Sequence, residues 1–356
     1  MATQRIVHLA PPQFLSEHIK EKITCIRAHR ERLFQLSCEL VNNKLVCHNY
    51  GQGGAGLTFL FGSVNESMRQ FEQRLLETPA LKNEPIAIVG AGCYGLLTAL
   101  VLARAGHRVR IVAKEIEKTS SANAAGFFFP RSRKTSTADE RAVFHSLGLE
   151  SYAVYQQIIN GEHSFINKAV ARLLPVYFGL DIDPGYDFYI SRGVVDKAEQ
   201  VTIDFGTGKQ YEAMEYKTLF INAHELIKEL RRNIAELNIA ITCAEINSFD
   251  DLAEAIIFNC TGIGAKKLTA DKKIIPVQGH LITLKNQNSM SNLQYMLNMK
   301  VVMTDTQGNK RDELIYYSPK EAGVLGITFI RGQRSLLPNE HEFDRILTRC
   351  HDFFGV

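Results

Sequence analysis

The stretch "IAIVGAGCYGLLTALVLARAGHRVRIVA", residues 86–113, decides the fold. "IAIVG" reads as a short buried strand, "GLLTALVLARAG" as a helix that stops at Gly106, and "RVRIVA" as the strand that returns beside the first. Gly90, Gly92 and Gly95 take G-x-G-x-x-G spacing at the strand-to-helix turn. In that spacing the first glycine permits the turn, the second lets a pyrophosphate reach the backbone, and the third brings helix and strand together. Amides at the helix N-terminus then bind the phosphates. The pattern predicts a dinucleotide site without distinguishing FAD from NAD(P). A ribose-binding acid is expected where the second strand ends, but Ala113 and Lys114 stand there and Glu115 comes late. Lys114 is either a solvated strand end or a partner for the 2′-phosphate of NADP.

Working outward, "AHELIKELRRNIAELN" (223–238) places Leu226, Ile227, Leu230, Ile234 and Leu237 on one helical face, and the strand "IAIT" follows. After "SFDDLAEA" comes the apolar strand "IIFNCTG", ending at Gly262. Alternating strands and helices predict a mostly parallel sheet covered on both faces. Residues 133–216 and 285–356 differ: "YDFYI", "VTIDF", "LIYYS" and "VLGITF" read as antiparallel strands of a second domain. A second glycine cluster, "HNYGQGGAGLT" (48–58), precedes a helix over "FGSVNESMRQFEQRLLETP", with Ser63 and Glu66 at capping-box spacing and Val64, Met68, Phe71 and Leu75 on one face. The polar run 77–85 links it to the first stretch.

The 356 residues carry 41 basic and 38 acidic side chains, a net charge of +3, so nothing in the composition favours nucleic-acid binding. The basic run "PRSRK" (130–134) reads as a solvated loop. Seven cysteines without a C-x-x-C pair suggest neither a disulfide framework nor zinc, and fit a cytoplasmic setting. The histidines have no metal-ligand spacing, and no apolar stretch reaches the roughly 18 residues of a membrane span. On local pattern alone Arg27 and Arg30 read as surface charges, and Tyr316 and Tyr317 as ordinary strand aromatics.

Several stretches together resemble the D-amino acid oxidase family. "TSSANAAGFFFP" (119–130) is similar to the segment passing that family's flavin, "NCTG" (259–262) to its strand end, and "PVQGHLITLK" (276–285) to its Pro-x-x-Gly-Gln segment with His280 for glutamine. "YYSPKEAGVLGITF" (316–329) is similar to its Tyr-x-x-Pro strand pair. The family's C-terminal portion appears at the front instead: "ITCIRAHRERLF" and then "CHNYGQGGAGLTFLFGSVNESMRQFEQRLL" precede the βαβ unit. The resemblance, over about residues 17–350, therefore implies a circular permutation, with near termini joined by a linker.

The implied architecture is α/β: a Rossmann-type FAD-binding domain (86–132 and 217–284), an interleaved α+β substrate domain with an antiparallel sheet (133–216 and 285–356), a transposed segment at 17–76 and the linker 77–85. The resemblance assigns Arg27 and Tyr316 to the substrate carboxylate and the Gly54 carbonyl to the substrate amine. It assigns Gly53, Leu57 and Thr58 to the flavin ring, and Gly90, Gly92, Gly95, Ala124, Ala125, Gly126 and Gly262 to FAD-contacting backbone, with Glu115 the acid nearest the adenosine ribose. Ala28 and Glu31 replace the family's prolines, and Asp312 a tyrosine. The implied activity is oxidation of a D-amino acid by hydride transfer to FAD, with oxygen as acceptor. A glycine- or sarcosine-type amine, an NADP-dependent dehydrogenase and a flavin-binding scaffold without turnover remain alternatives. The expected partners are a small amino acid or amine and oxygen, with no nucleic acid or membrane; oligomeric state is open.

Overall fold

The computed structural model describes residues 5–304, 308 and 310–356. Its first sheet has six strands in the order Ala240–Cys243, Val109–Ala113, Ile86–Val89, Ile256–Asn259, Lys44–Tyr50 and Gln35–Val41. The first five run parallel and only Gln35–Val41 is antiparallel. This is the expected parallel sheet, with an early hairpin completing it. The helix Cys93–Arg104 is apolar all round, so it is buried: Leu96, Leu97, Leu100 and Leu102 are at most 1% exposed. Burying each contributes about 1.5–3 kcal/mol. It packs between the sheet and the helices Leu60–Glu77 and Ala223–Glu236.

The second sheet is mostly antiparallel. Its order is Arg5–His8, Glu199–Asp204, Gln210–Ile221, Ala171–Gly179, Met296–Thr304, Lys310–Ser318, Val324–Gly326, Ile274–Leu284 and Ile330–Arg331, with Ile19–Arg30 pairing along Ile274–Leu284. One face packs on the C-terminal helix Glu340–Phe354, through Ile282, Leu284 and Tyr317 against Phe343, Ile346 and Phe353. Because side chains alternate along a strand, Leu281 and Tyr316 take the other face. Residues 5–76 form no separate module: they supply strands to both sheets.

Several expectations are corrected. "YDFYI" is a helical turn, Asp187–Ile190, because Tyr186 and Tyr189 are buried three residues apart after the Pro184-Gly185 turn. Region 133–216 opens with a 23-residue helix, Ala138–Asn160, whose Thr137 and Glu140 form the capping box. Ser63 caps nothing; the helix begins at Leu60 and the Ser63 hydroxyl donates to the Phe59 carbonyl at 2.5 Å. Leu237 is 39% exposed, just past the helix end. "VLGITF" is a strand only over Val324–Gly326. The strand Ile274–Leu284, expected with the FAD-binding units, lies in the second sheet, and the 77–85 linker contains a 3-10 turn, Pro79–Leu81. Cys38 and Cys47, opposed across the hairpin, form a disulfide that spacing did not reveal.

Candidate functional site

The site is built where the glycine turn, the segment 119–129, the loop 51–58 and one face of the second sheet meet. A Cβ on Gly95 would stand 1.9 Å from the Gly90 carbonyl oxygen, and one on Gly90 2.5 Å from that of Cys260. Only glycine allows strand, turn and helix to lie this close, and Gly90 also has φ +114°. The helix starts at Gly92 with no side-chain cap and no acid in its first turn. Apart from the Cys93 amide, which Ser121 takes, its first-turn amides are left to an anion, and the residues fit a dinucleotide phosphate. Ser121 lies against this end: its hydroxyl accepts from the Cys93 amide at 3.1 Å, as close as a Cβ on Gly92 would be.

The segment after Ser121 is fixed from several sides. The Ser120 hydroxyl donates to the Ile26 carbonyl at 3.0 Å, and the Ser318 hydroxyl to that of Ala125 at 2.5 Å. The Gly126 carbonyl accepts from the Ile221 amide, and Thr58 Oγ1 from the Phe129 amide at 2.9 Å. Ala125 and Gly126 are thereby fixed, and Phe127 and Phe129 are held on Thr58. Gly262 follows the strand Ile256–Asn259 with φ +55° and open space where a side chain would be. Glu115 is exposed beyond the strand end, while Lys114 pairs with Glu245 at 3.0 Å. That pairing supports the solvated-strand-end reading of Lys114.

Register brings Arg27 and Tyr316 together. Tyr316 opposes Gly326, which opposes Leu281; Arg27 opposes Val277. Since Val277, Gly279 and Leu281 share a face, Arg27 and Tyr316 do too. Gly279 leaves the floor bare, and Arg27 lies along it: a Cβ there would be 2.2 Å from Arg27 Nη2. Arg27 Nη1 donates to the Thr328 carbonyl at 3.1 Å, whereas the buried Nη2 has no partner. Phe329 caps the guanidinium at 4.8 Å. Gly54 completes the roof, with its Cβ position 3.6 Å from Arg27 Cδ. Burial pulls the Arg27 pKa below its ordinary value, opposed by Cys25 and Tyr316. Burial likewise pushes the Tyr316 phenol well up, with Arg27 opposing, so it stays protonated and can donate. Its ring stacks on Phe127 at 4.5 Å.

Sequence reasoning missed the supports of the glycine loop. The Tyr94 hydroxyl donates to the Gly56 carbonyl and that of Tyr155 to Leu57, both at 2.8 Å. Arg133, expected on a solvated loop, is half-buried and donates to the Gly51 and Gln52 carbonyls at 3.2 and 3.0 Å. Desolvation lowers its pKa to about 10. His29, two residues from Arg27 on the same face, lies 3.3 Å from the Cβ position of Gly53. Burial first, then Arg133 and Arg331, lower its pKa to about 4. His280 points to the opposite side, against Phe343, with Nδ1 2.7 Å from the Thr328 hydroxyl. Only the i, i+2 alternation around Arg27 could have pointed to His29; the others are long-range contacts.

A family model described as "FAD dependent oxidoreductase" matches residues 85–356, from the first strand of the glycine turn onward. The chain belongs to this family. FAD-dependent oxidoreductases of this family bind FAD, which makes FAD rather than NADP the cofactor. Among curated relatives, the D-amino-acid oxidase of Streptomyces coelicolor is 28% identical over 56% of this chain and 59% of its own length. That of Rubrobacter xylanophilus is 24% identical over 74% and 75%. The match thus spans about three fifths of the Streptomyces protein. Among solved structures, the L-proline dehydrogenase from P. horikoshii shares the fold, with a TM-score of 0.51, 14% identity and 77% of each chain covered. Among the described residues no helix is long and apolar enough to cross a membrane, and no group of three or more His, Cys, Asp or Glu side chains could hold a metal ion.

Proposed function

We propose that this FAD-dependent oxidoreductase oxidises a D-amino acid at Cα, with oxygen as the final acceptor. The observation that carries this reading is the unpartnered Nη2 of Arg27, buried on one sheet face with Gly54 above it and Tyr316 beside it. A buried cation with an open donor is costly unless an anion arrives. A substrate carboxylate supplies that anion, with Arg27 donating to it in a charge-assisted contact. The protonated Tyr316 donates to the same carboxylate, and the Gly54 carbonyl accepts from the substrate amine. Together they hold Cα in one orientation, which is how positioning lowers a barrier. Bound FAD supplies the acceptor for the hydride leaving Cα. Gly53, Leu57, Thr58, Ala124, Ala125 and Gly126 would hold the flavin ring, and Gly90, Gly92, Gly95 and Gly262 the dinucleotide portion. Glu115 remains the nearest acid proposed for the ribose.

The permuted order belongs to the same proposal. Strand order in the first sheet supports it, because the positions beyond Ile256–Asn259 are filled by strands that precede Ile86–Val89 in the chain. Residues 1–84, outside the family match, supply Arg27 and Gly54. Anaerobic titration of the purified holoprotein with D-amino acids, L-amino acids, glycine and sarcosine tests the reading. Bleaching of the flavin by a D-amino acid is expected; bleaching by glycine or sarcosine alone would favour the amine oxidase alternative, and no bleaching would sink turnover altogether.

A further inference from the structure

Tyr316 and Ser318 end one strand, Lys320 follows in the turn beyond it, and each meets the segment 122–127. Tyr316 stacks on Phe127, the Ser318 hydroxyl donates to the Ala125 carbonyl, and Lys320 Nζ donates to that of Ala122. The first two secure the segment without charge. Lys320 is different: it is 7% exposed, and its hydrogen bond goes to a neutral carbonyl. The adjacent carboxylate, Glu321, is drawn outward to Lys20 at 2.7 Å. An ammonium withdrawn from water needs an anion near it, and a carbonyl alone is a poor substitute. The residue beside Ala122 is Ser121, which lies on the first amide of the helix Cys93–Arg104. A buried ammonium and the positive end of a helix therefore flank the same short piece of chain.

We propose that Lys320 is a positioning residue for the cofactor, fixing the segment 119–126 through Ala122 and supplying positive charge to an anionic part of bound FAD. Two parts of FAD carry such charge, the pyrophosphate and the isoalloxazine ring once reduced. The inference rests on the flavin placement in the proposed function but not on the substrate. FAD binding is read directly, so failure to oxidise D-amino acids would leave this test intact.

The test separates the clamp from the charge. Lys320→Gln keeps an N–H donor for the Ala122 carbonyl and removes the charge; Lys320→Arg keeps both. Apoprotein of each is titrated with FAD by flavin fluorescence, the midpoint potential of bound flavin is measured, and apo melting temperatures are recorded. K320Q should melt like the wild type yet either bind FAD at least tenfold more weakly or hold it at a more negative midpoint, with K320R restoring the wild-type value. A midpoint made more negative in K320Q places the charge at the ring; weaker binding with an unchanged midpoint places it at the pyrophosphate. Wild-type affinity and midpoint in K320Q would overturn the proposal, as would an equal loss of affinity in K320Q and K320R. Should K320Q fail to fold, K320R alone decides: wild-type affinity and midpoint support the proposal, and a loss of affinity in a folded K320R overturns it.

Discussion

Arg27 lies flat over Gly279, whose missing side chain is the space the guanidinium occupies: a Cβ there would meet Nη2 at 2.2 Å and Nη1 at 2.6 Å. Gly279→Ala must lift or turn Arg27 while leaving the glycine turn untouched. A displacement of about 1 Å in a positioning group costs on the order of 100-fold in kcat/KM. Steady-state kinetics should show that loss at unchanged flavin content; normal kinetics would mean that Arg27 does not hold the substrate from this position.

Arg27→Met removes the open donor itself. Losing a hydrogen bond to a charged group costs about 1.5–3 kcal/mol, so KM for a D-amino acid should rise roughly 10- to 100-fold. Stability should move the other way. Replacing a buried cation that lacks an acidic partner by an apolar side chain is neutral or favourable, and thermal melts of the apoprotein should show an equal or higher midpoint.

Gly95→Ala drives a Cβ into the Gly90 carbonyl, and no rotamer change can relieve a clash with backbone. Overpacking of this kind costs about 1–3 kcal/mol. The helix must also shift away from the turn. Denaturant unfolding of the apoprotein should show the destabilisation, and the purified variant should retain less flavin than the wild type.

His29 has a folded pKa of about 4 against an ordinary 6.5, lowered by burial and then by Arg133 and Arg331. Below pH 6.5 the unfolded chain takes up a proton that the folded protein refuses, so stability falls with pH from about 6.5 down to 4. His29→Gln should make that part of a melting-temperature profile shallower, the remaining slope coming from His48, His145, His163 and His280, whose pKa values burial also lowers, and the acid loss below pH 4 from Asp271, Glu254 and Glu313, whose pKa values are lowered. An unchanged slope would place the ring in solvent.

The parallel sheet was legible because its signals are local. Strand, glycine spacing and apolar helix adjoin in residues 86–113, and the same alternation returns at 223–262. Region 133–216 misled because Tyr and Phe suit strands and buried helix turns alike, so Tyr186 and Tyr189 were ambiguous without a partner. The 23-residue helix did carry a signal, Thr137 three residues before Glu140, the same spacing that Ser63 and Glu66 show without forming a cap. For the site, resemblance gave Arg27 and Tyr316, which no periodicity would have joined. Their common face depends on the register of three strand pairs, and the anchors Tyr94, Tyr155 and Arg133 on contacts of up to 98 residues in separation.

The placement of the hairpin 35–50 also sets a timetable for synthesis. His48 and Asn259 are neighbours in the parallel sheet but lie 211 residues apart in the chain. At roughly 5–20 residues per second, the hairpin leaves the ribosome about 10–40 s before the strand it must join. During that interval Val46, fully buried in the finished protein, lacks the cover that Phe249, Leu252 and Ile257 later give it. Nascent chains truncated before residue 256 should therefore depend on chaperones to stay in solution.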